Sequence, residues 1–197
     1  MAETPIDFYF DFSSPYGYLA STAIDALAAR HGRTVAWRPF VLGAAFKLTG
    51  QRALTEQPMR GDYARRDFAR SARLLGVPLK MPEPFPFFAL AASRAFYWIE
   101  DPLRAKALAK AVYHAAFGEG RDMTPVPAIA ELARGLGIDG LEQGLEQVET
   151  KAKLRTATEQ ALARGVFGSP FFIVDGEPFW GHDRMDQLER WLATGGW

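Results

Sequence analysis

Asp11-Phe12-Ser13-Ser14-Pro15-Tyr16-Gly17 is the segment of this 197-residue chain best suited to chemistry. Proline is favoured at the first position of a helix and serine at the residue before it, so Ser14 reads as an N-cap and Pro15 as the helix start. A hydroxyl there lies beside unpaired backbone N–H groups and the positive end of the helix dipole, a setting for an anion. A free thiol has a pKa of about 8.5. A helix N-terminus stabilises an anion by roughly 0.3–1 kcal/mol, up to ~2 when partly buried. A charge-assisted hydrogen bond adds about 1.5–3 kcal/mol. At about 1.4 kcal/mol per pKa unit, these make thiolate the majority form at pH 7. The chain has no cysteine, so a thiolate held there must arrive on a small molecule. The plain alternative is that Ser14 only caps a helix. No Gly-x-Ser-x-Gly elbow is present and nothing local identifies a base, which argues against Ser14 as a covalent nucleophile.

The flanking elements must place that hydroxyl. Ile6, Phe8, Phe10 and Phe12 alternate with Asp7, Tyr9 and Asp11, the period of a half-buried strand. Tyr16, Leu19, Ala20, Ala23, Ile24, Leu27 and Ala28 follow at helical spacing up to His31-Gly32. Thr34 to Phe40 reads as a second strand, and the connecting helix makes the pair a right-handed parallel βαβ unit. From Leu42 to Arg164 the pattern is helical, with candidates at 63–75, 88–100, 103–117, 126–136, 141–149 and 150–164 and helix starts expected at Thr124 and Asp139. Phe171 to Val174, the turn Asp175-Gly176 and Pro178 to Trp180 form a hairpin before a last amphipathic helix with Met185, Leu188, Trp191 and Leu192. The expected fold is α/β: a thioredoxin-like βαβ…ββα domain, 1–41 and 165–197, interrupted by a helical insertion, 42–164.

Composition bounds the function. A chain that is 48% hydrophobic and 23% charged is an ordinary globular protein. Lys+Arg and Asp+Glu balance at 23 each, so no nucleic-acid or membrane partner is expected. Without cysteine, disulfides, Cys-based zinc sites and dithiol redox catalysis are excluded. No two of the three histidines have metal-ligand spacing, and no metal is expected. The first residues do not form a signal peptide, and the apolar stretch Phe85 to Ile99 is too short and too interrupted to span a bilayer. A cytoplasmic location is expected.

Five segments in order resemble the 2-hydroxychromene-2-carboxylate isomerases, DsbA-like proteins close to kappa-class glutathione transferases. They are Phe-Tyr-Phe-Asp-Phe-Ser-Ser-Pro-Tyr-Gly-Tyr-Leu-Ala from Phe8, Trp37-Arg38-Pro39, Leu42-Gly43-Ala44-Ala45-Phe46-Lys47, Gly165-Val166-Phe167-Gly168-Ser169-Pro170, and Phe179-Trp180-Gly181-His182-Asp183-Arg184. The resemblance implies that Ser14 is the catalytic serine in the place of the first cysteine of a redox relative, with Gly17 in the place of the second. It implies a cis Pro170, with the Ser169 backbone pairing with the cysteinyl part of glutathione. It also implies that the loop Trp180, Gly181, His182, Asp183 and Arg184 holds the γ-glutamyl end, with Asp183 facing its ammonium. Lys47 would meet the carboxylate of an aromatic substrate, near Gln51, Arg52 and Phe88. The implied reaction interconverts 2-hydroxychromene-2-carboxylate and trans-o-hydroxybenzylidenepyruvate through a glutathione thiolate adduct, in a homodimer.

Two departures bear on the substrate. Gln51 stands where relatives commonly have Asn, and Phe88 ends Phe85-Pro86-Phe87-Phe88 where relatives commonly have Phe-Pro-x-Asn, which makes the pocket more apolar. Asp183 has a simpler reading as the cap of the last helix, and Phe87, Phe88, Phe96, Tyr97 and Trp98 one as core. His31 and His114 read as a helix-end and a solvated residue, and the backbone of His182 is expected to matter more than its ring. A kappa-like transferase or peroxidase, or a non-catalytic thioredoxin-fold binding module, is the alternative.

Overall fold

Ile6, Phe8 and Phe10 lie on one face of strand β1 (Ile6–Phe10), with Asp7 and Tyr9 on the other, and all five residues are buried rather than half of them. A computed structural model describes residues 4–197 and explains why. The sheet order is β2-β1-β3-β4, so β1 is central. Its Phe face joins the main core, and Tyr9 joins a second cluster with Phe40, Ala45, Ala161 and Phe171 on the opposite side. Strand β2 (Val35–Pro39) runs parallel to β1, with Phe8 opposite Trp37. Strand β3 (Phe171–Val174) pairs antiparallel with β1 and with β4 (Glu177–Trp180). The hairpin turn Asp175-Gly176 has both residues at positive φ, the conformation its residue types favour. The thioredoxin-like arrangement is therefore present.

Helix α1 (Pro15–Arg30) begins at the expected residue. Sequence periodicity missed the next helix, α2 (Leu42–Thr49), because its start has no local cap: the N–H of Leu42 donates to Asp11 Oδ2 at 2.8 Å, and that of Val41 to Thr158 Oγ1 at 3.2 Å. These partners are distant in sequence. The insertion continues through α3 (Arg60–Leu75), α4 (Leu90–Trp98), α5 (Pro102–Tyr113), α6 (Val126–Gly135), α7 (Leu141–Glu146) and α8 (Val148–Ala163), and α9 (Met185–Thr194) closes the chain. Thr124 and Asp139 are not helix caps; those positions belong to Pro125 and Gly140. The helix expected to reach Phe117 ends at Tyr113 and passes into a π turn, His114–Gly118.

Ion pairs join sheet and insertion. Asp7 accepts from Arg38 Nε at 2.6 Å and from Arg164 at 2.5 Å. Asp25 on α1 receives Lys106 Nζ at 2.9 Å and Lys110 Nζ at 2.7 Å, both from α5. Burial pushes the Asp25 carboxyl up, yet Lys110, Lys106 and the Trp37 indole together pull it below its ordinary value. A depressed carboxyl contributes stability above its unfolded value and loses it as pH falls through the folded one. Asp25→Asn is therefore expected to cost roughly 1 kcal/mol at neutral pH, a melting shift of about 2–4 °C. Thermal melts of both proteins should converge at about pH 2.

Candidate active site

The first turn of α1 and the Ser169-Pro170 turn meet at Ser14. Ser14 is a buried N-cap with extended backbone, and its Oγ accepts from the N–H of Gly17 at 3.0 Å. The same oxygen donates to the Ser169 carbonyl at 2.8 Å. The Ser169–Pro170 peptide bond is cis. Ser14 N donates to the Asp11 carbonyl at 2.9 Å, and Pro15 has no N–H. The Tyr16 N–H is thus left as the first-turn donor without a partner among the described residues, fewer than the several expected.

Asp11 organises this turn, a role that sequence reading missed. Its Oδ1 accepts from the backbone N–H of Ser13 at 2.8 Å and from the Ser13 hydroxyl at 2.7 Å, while Oδ2 takes the α2 N-terminus. Burial raises its carboxyl above the ordinary value, against the pull of these donors. Its backbone N–H donates to Ser169 Oγ at 2.9 Å, and its carbonyl accepts from the buried hydroxyl of Tyr113 at 3.0 Å. The only clue in sequence was the acid at the strand end beside two serines.

The β4–α9 loop flanks the site. Gly181 N donates to the Pro170 carbonyl at 3.0 Å, and the Trp180 indole lies hard against the backbone of Gly168. The ring of His182 stacks on Tyr16 with centroids 4.9 Å apart, so more than its backbone is engaged. Burial holds its imidazole below the usual histidine value, although Asp183 and Asp67 raise it. Tyr16 also donates to Asp67 Oδ2 of α3 at 2.6 Å, which brings the insertion to the mouth of the site. Asp183 does not cap α9; it is exposed and pairs with Arg184 at 3.1 Å. Lys47 lies on α2, with Gln51 and Arg52 just beyond it, all three exposed. The Lys47 and Arg52 side chains have no ion-pair or hydrogen-bond partner among the described residues. Phe87 is core but Phe88 is 80% exposed, and none of Lys47, Gln51, Arg52 and Phe88 bonds to Ser14 or Ser169. The contacts therefore bring together Ser14, Ser169, Pro170 and the Trp180–His182 stretch, and join none of the substrate-side candidates to them.

With a buried hydroxyl at a helix start facing a cis-proline turn in this chain, comparison with known proteins places it in a family. Residues 5–193 match the DSBA-like thioredoxin domain. The chain is 34% identical over 192 residues to the 2-hydroxychromene-2-carboxylate isomerase of Sphingobium xenophagum, covering 95% of this chain and 97% of that protein. The chain belongs to this isomerase family, built on the DSBA-like thioredoxin fold. A solved 2-hydroxychromene-2-carboxylate isomerase superimposes with a TM-score of 0.89 at 30% identity, covering 98% of this chain and 95% of the other. A kappa-type glutathione S-transferase of Caenorhabditis elegans is 25% identical, covering 95% of this chain and 91% of its own length. Among the described residues no cluster suited to a metal ion exists, and no helix is long and apolar enough to cross a membrane.

Proposed function

We propose that this member of the isomerase family is a cytoplasmic, glutathione-dependent enzyme that interconverts 2-hydroxychromene-2-carboxylate and trans-o-hydroxybenzylidenepyruvate or a closely similar aromatic catabolite. The observation that carries the reading is the Ser14 hydroxyl, buried at the start of a 16-residue helix beside the unpaired Tyr16 N–H, in a chain without a thiol of its own. The substrate is that of the Sphingobium xenophagum relative, and the kappa-type relative supports glutathione.

The residues fit this cofactor. Bound glutathione supplies the sulfur nucleophile that the chain lacks. The Ser169 backbone would hold its cysteinyl part, and the Trp180–Arg184 loop its γ-glutamyl end. The exposed pair of Asp183 and Arg184 offers one charge of each sign to that zwitterionic end. Ser14 has one proton, and here it goes to the Ser169 carbonyl. With glutathione bound, the Ser14 hydroxyl would turn from that carbonyl to the thiolate, because charge-assisted hydrogen bonds are roughly twice as strong as neutral ones. Lys47, unpaired on α2, would hold the substrate carboxylate and fix its orientation, with Gln51, Arg52 and Phe88 on the same side.

The test is to follow 2-hydroxychromene-2-carboxylate absorbance with enzyme and glutathione far below the substrate concentration. Many turnovers per glutathione, with the tripeptide recovered unchanged, are expected. Loss of glutathione in proportion to product would favour a kappa-like transferase, and full activity without glutathione would overturn the reading.

A further inference from the structure

Tyr113 lies wholly buried at the last residue of α5, where the helix opens into the π turn His114–Gly118. π turns inside helices are rare and frequently sit at functional sites. Its ring is fixed by Phe12, with centroids 5.2 Å apart, by Phe10 at 5.6 Å and by Phe117 at 6.4 Å. Its hydroxyl donates to the Asp11 carbonyl at 3.0 Å, and the Asp11 N–H donates to Ser169 Oγ at 2.9 Å. That carbonyl also receives Ser14 N, and Ser14 Oγ donates to the Ser169 carbonyl. Both turns of the site are therefore tied through the Asp11 backbone, whose carbonyl is held by a phenol that belongs to the insertion.

Gly17 explains the fit. A Cβ on Gly17 would overlap the Tyr113 hydroxyl oxygen, whereas its next neighbours, Ser169 Oγ at 3.1 Å and Ser14 Cβ at 3.2 Å, are tight contacts that a small shift relieves. The phenol oxygen thus fills the place of a side chain at position 17.

We propose that Tyr113 is a positioning residue of the Ser14 site: its hydroxyl occupies the side-chain space of position 17 and fixes the spacing between the Ser14 hydroxyl and the Ser169 carbonyl. The proposal rests on the glutathione reading above. Losing one fixed hydrogen bond loosens the donor that stabilises the bound thiolate, and the bound thiol becomes harder to ionise.

The experiment titrates bound glutathione by thiolate absorbance near 240 nm in wild type and Tyr113→Phe, with thermal melts of both. The midpoint of Tyr113→Phe is expected to rise by roughly half a unit to one unit. A role in packing alone would lower the melting temperature and leave that midpoint in place. A second arm compares Gly17→Ala with Gly17→Ala/Tyr113→Phe. The double variant should melt higher than Gly17→Ala, since removing the phenol oxygen makes room for the methyl group. An unchanged midpoint in Tyr113→Phe, with glutathione bound normally by wild type, overturns the positioning role. A double variant no more stable than Gly17→Ala overturns the space-filling role. If wild type binds no glutathione, the functional reading falls and the positioning role with it. Should Tyr113→Phe not fold, Ser169→Ala removes the acceptor of the Asp11 N–H and loosens the same turn, and an unchanged midpoint there overturns the proposal equally.

Discussion

Ser14→Ala is expected to lower kcat/KM about 10- to 150-fold and to raise the pKa of bound glutathione, the effect of losing a charge-assisted hydrogen bond worth about 1.5–3 kcal/mol. Two contributions must be separated. Ser14 also caps α1 through the Gly17 N–H, and alanine at an N-cap costs roughly 0.5–2 kcal/mol of stability. Glycine at an N-cap costs only a few tenths. Ser14→Gly should therefore melt close to wild type while losing as much activity as Ser14→Ala. Activity surviving in Ser14→Gly would reduce Ser14 to a cap and remove the basis of the proposed chemistry.

The second large effect is expected at Asp11. Its carboxylate receives the Ser13 N–H, the Ser13 hydroxyl and the Leu42 N–H, with no cation among these partners. Asp11→Ala leaves these donors without their acceptor, and unsatisfied buried groups cost about 1–3 kcal/mol each. Partial access of water to Ser13 discounts the sum, and a net loss of about 3 kcal/mol follows, or roughly 6–12 °C in Tm. The start of α2 should loosen as well, read as faster hydrogen exchange at Leu42 and the amides after it. Because the folded-state pKa of Asp11 lies above its unfolded value, the folded form binds the proton more readily. Its contribution to stability therefore declines as pH rises through the interval just above the ordinary carboxylate range. Stability curves of wild type and Asp11→Ala should differ in slope there. Matching slopes and melting points within about 2 °C would show that the carboxylate holds nothing together.

What could be read from sequence was what short-range signals encode. Ser14-Pro15 marks a helix start by itself, and Asp175-Gly176 marks a hairpin by itself. The alternation Ile6, Phe8, Phe10 showed a strand and which residues share a face, but not that Tyr9 and Asp7 would be covered too. That depends on α8 and α2 packing on the far side. Helix α2 escaped notice because its capping acid is Asp11, 31 positions earlier. Tyr113 lay unremarked within the helix expected over 103–117. Its hydroxyl acquires meaning only when α5 is laid across the first strand, beside Gly17. Lys47 and Arg52 were singled out by family likeness alone, and their exposed, unpaired side chains are what a solvated surface would also show.

The overlap awaiting any Cβ on Gly17 also orders the mutational routes between this chain and dithiol oxidoreductases that use Cys-x-x-Cys. A cysteine at position 14 alone meets no such obstacle from the phenol. A cysteine at position 17 does, until residue 113 has become smaller. A second sulfur in this turn thus depends on what stands at position 113, in a helix almost a hundred residues away.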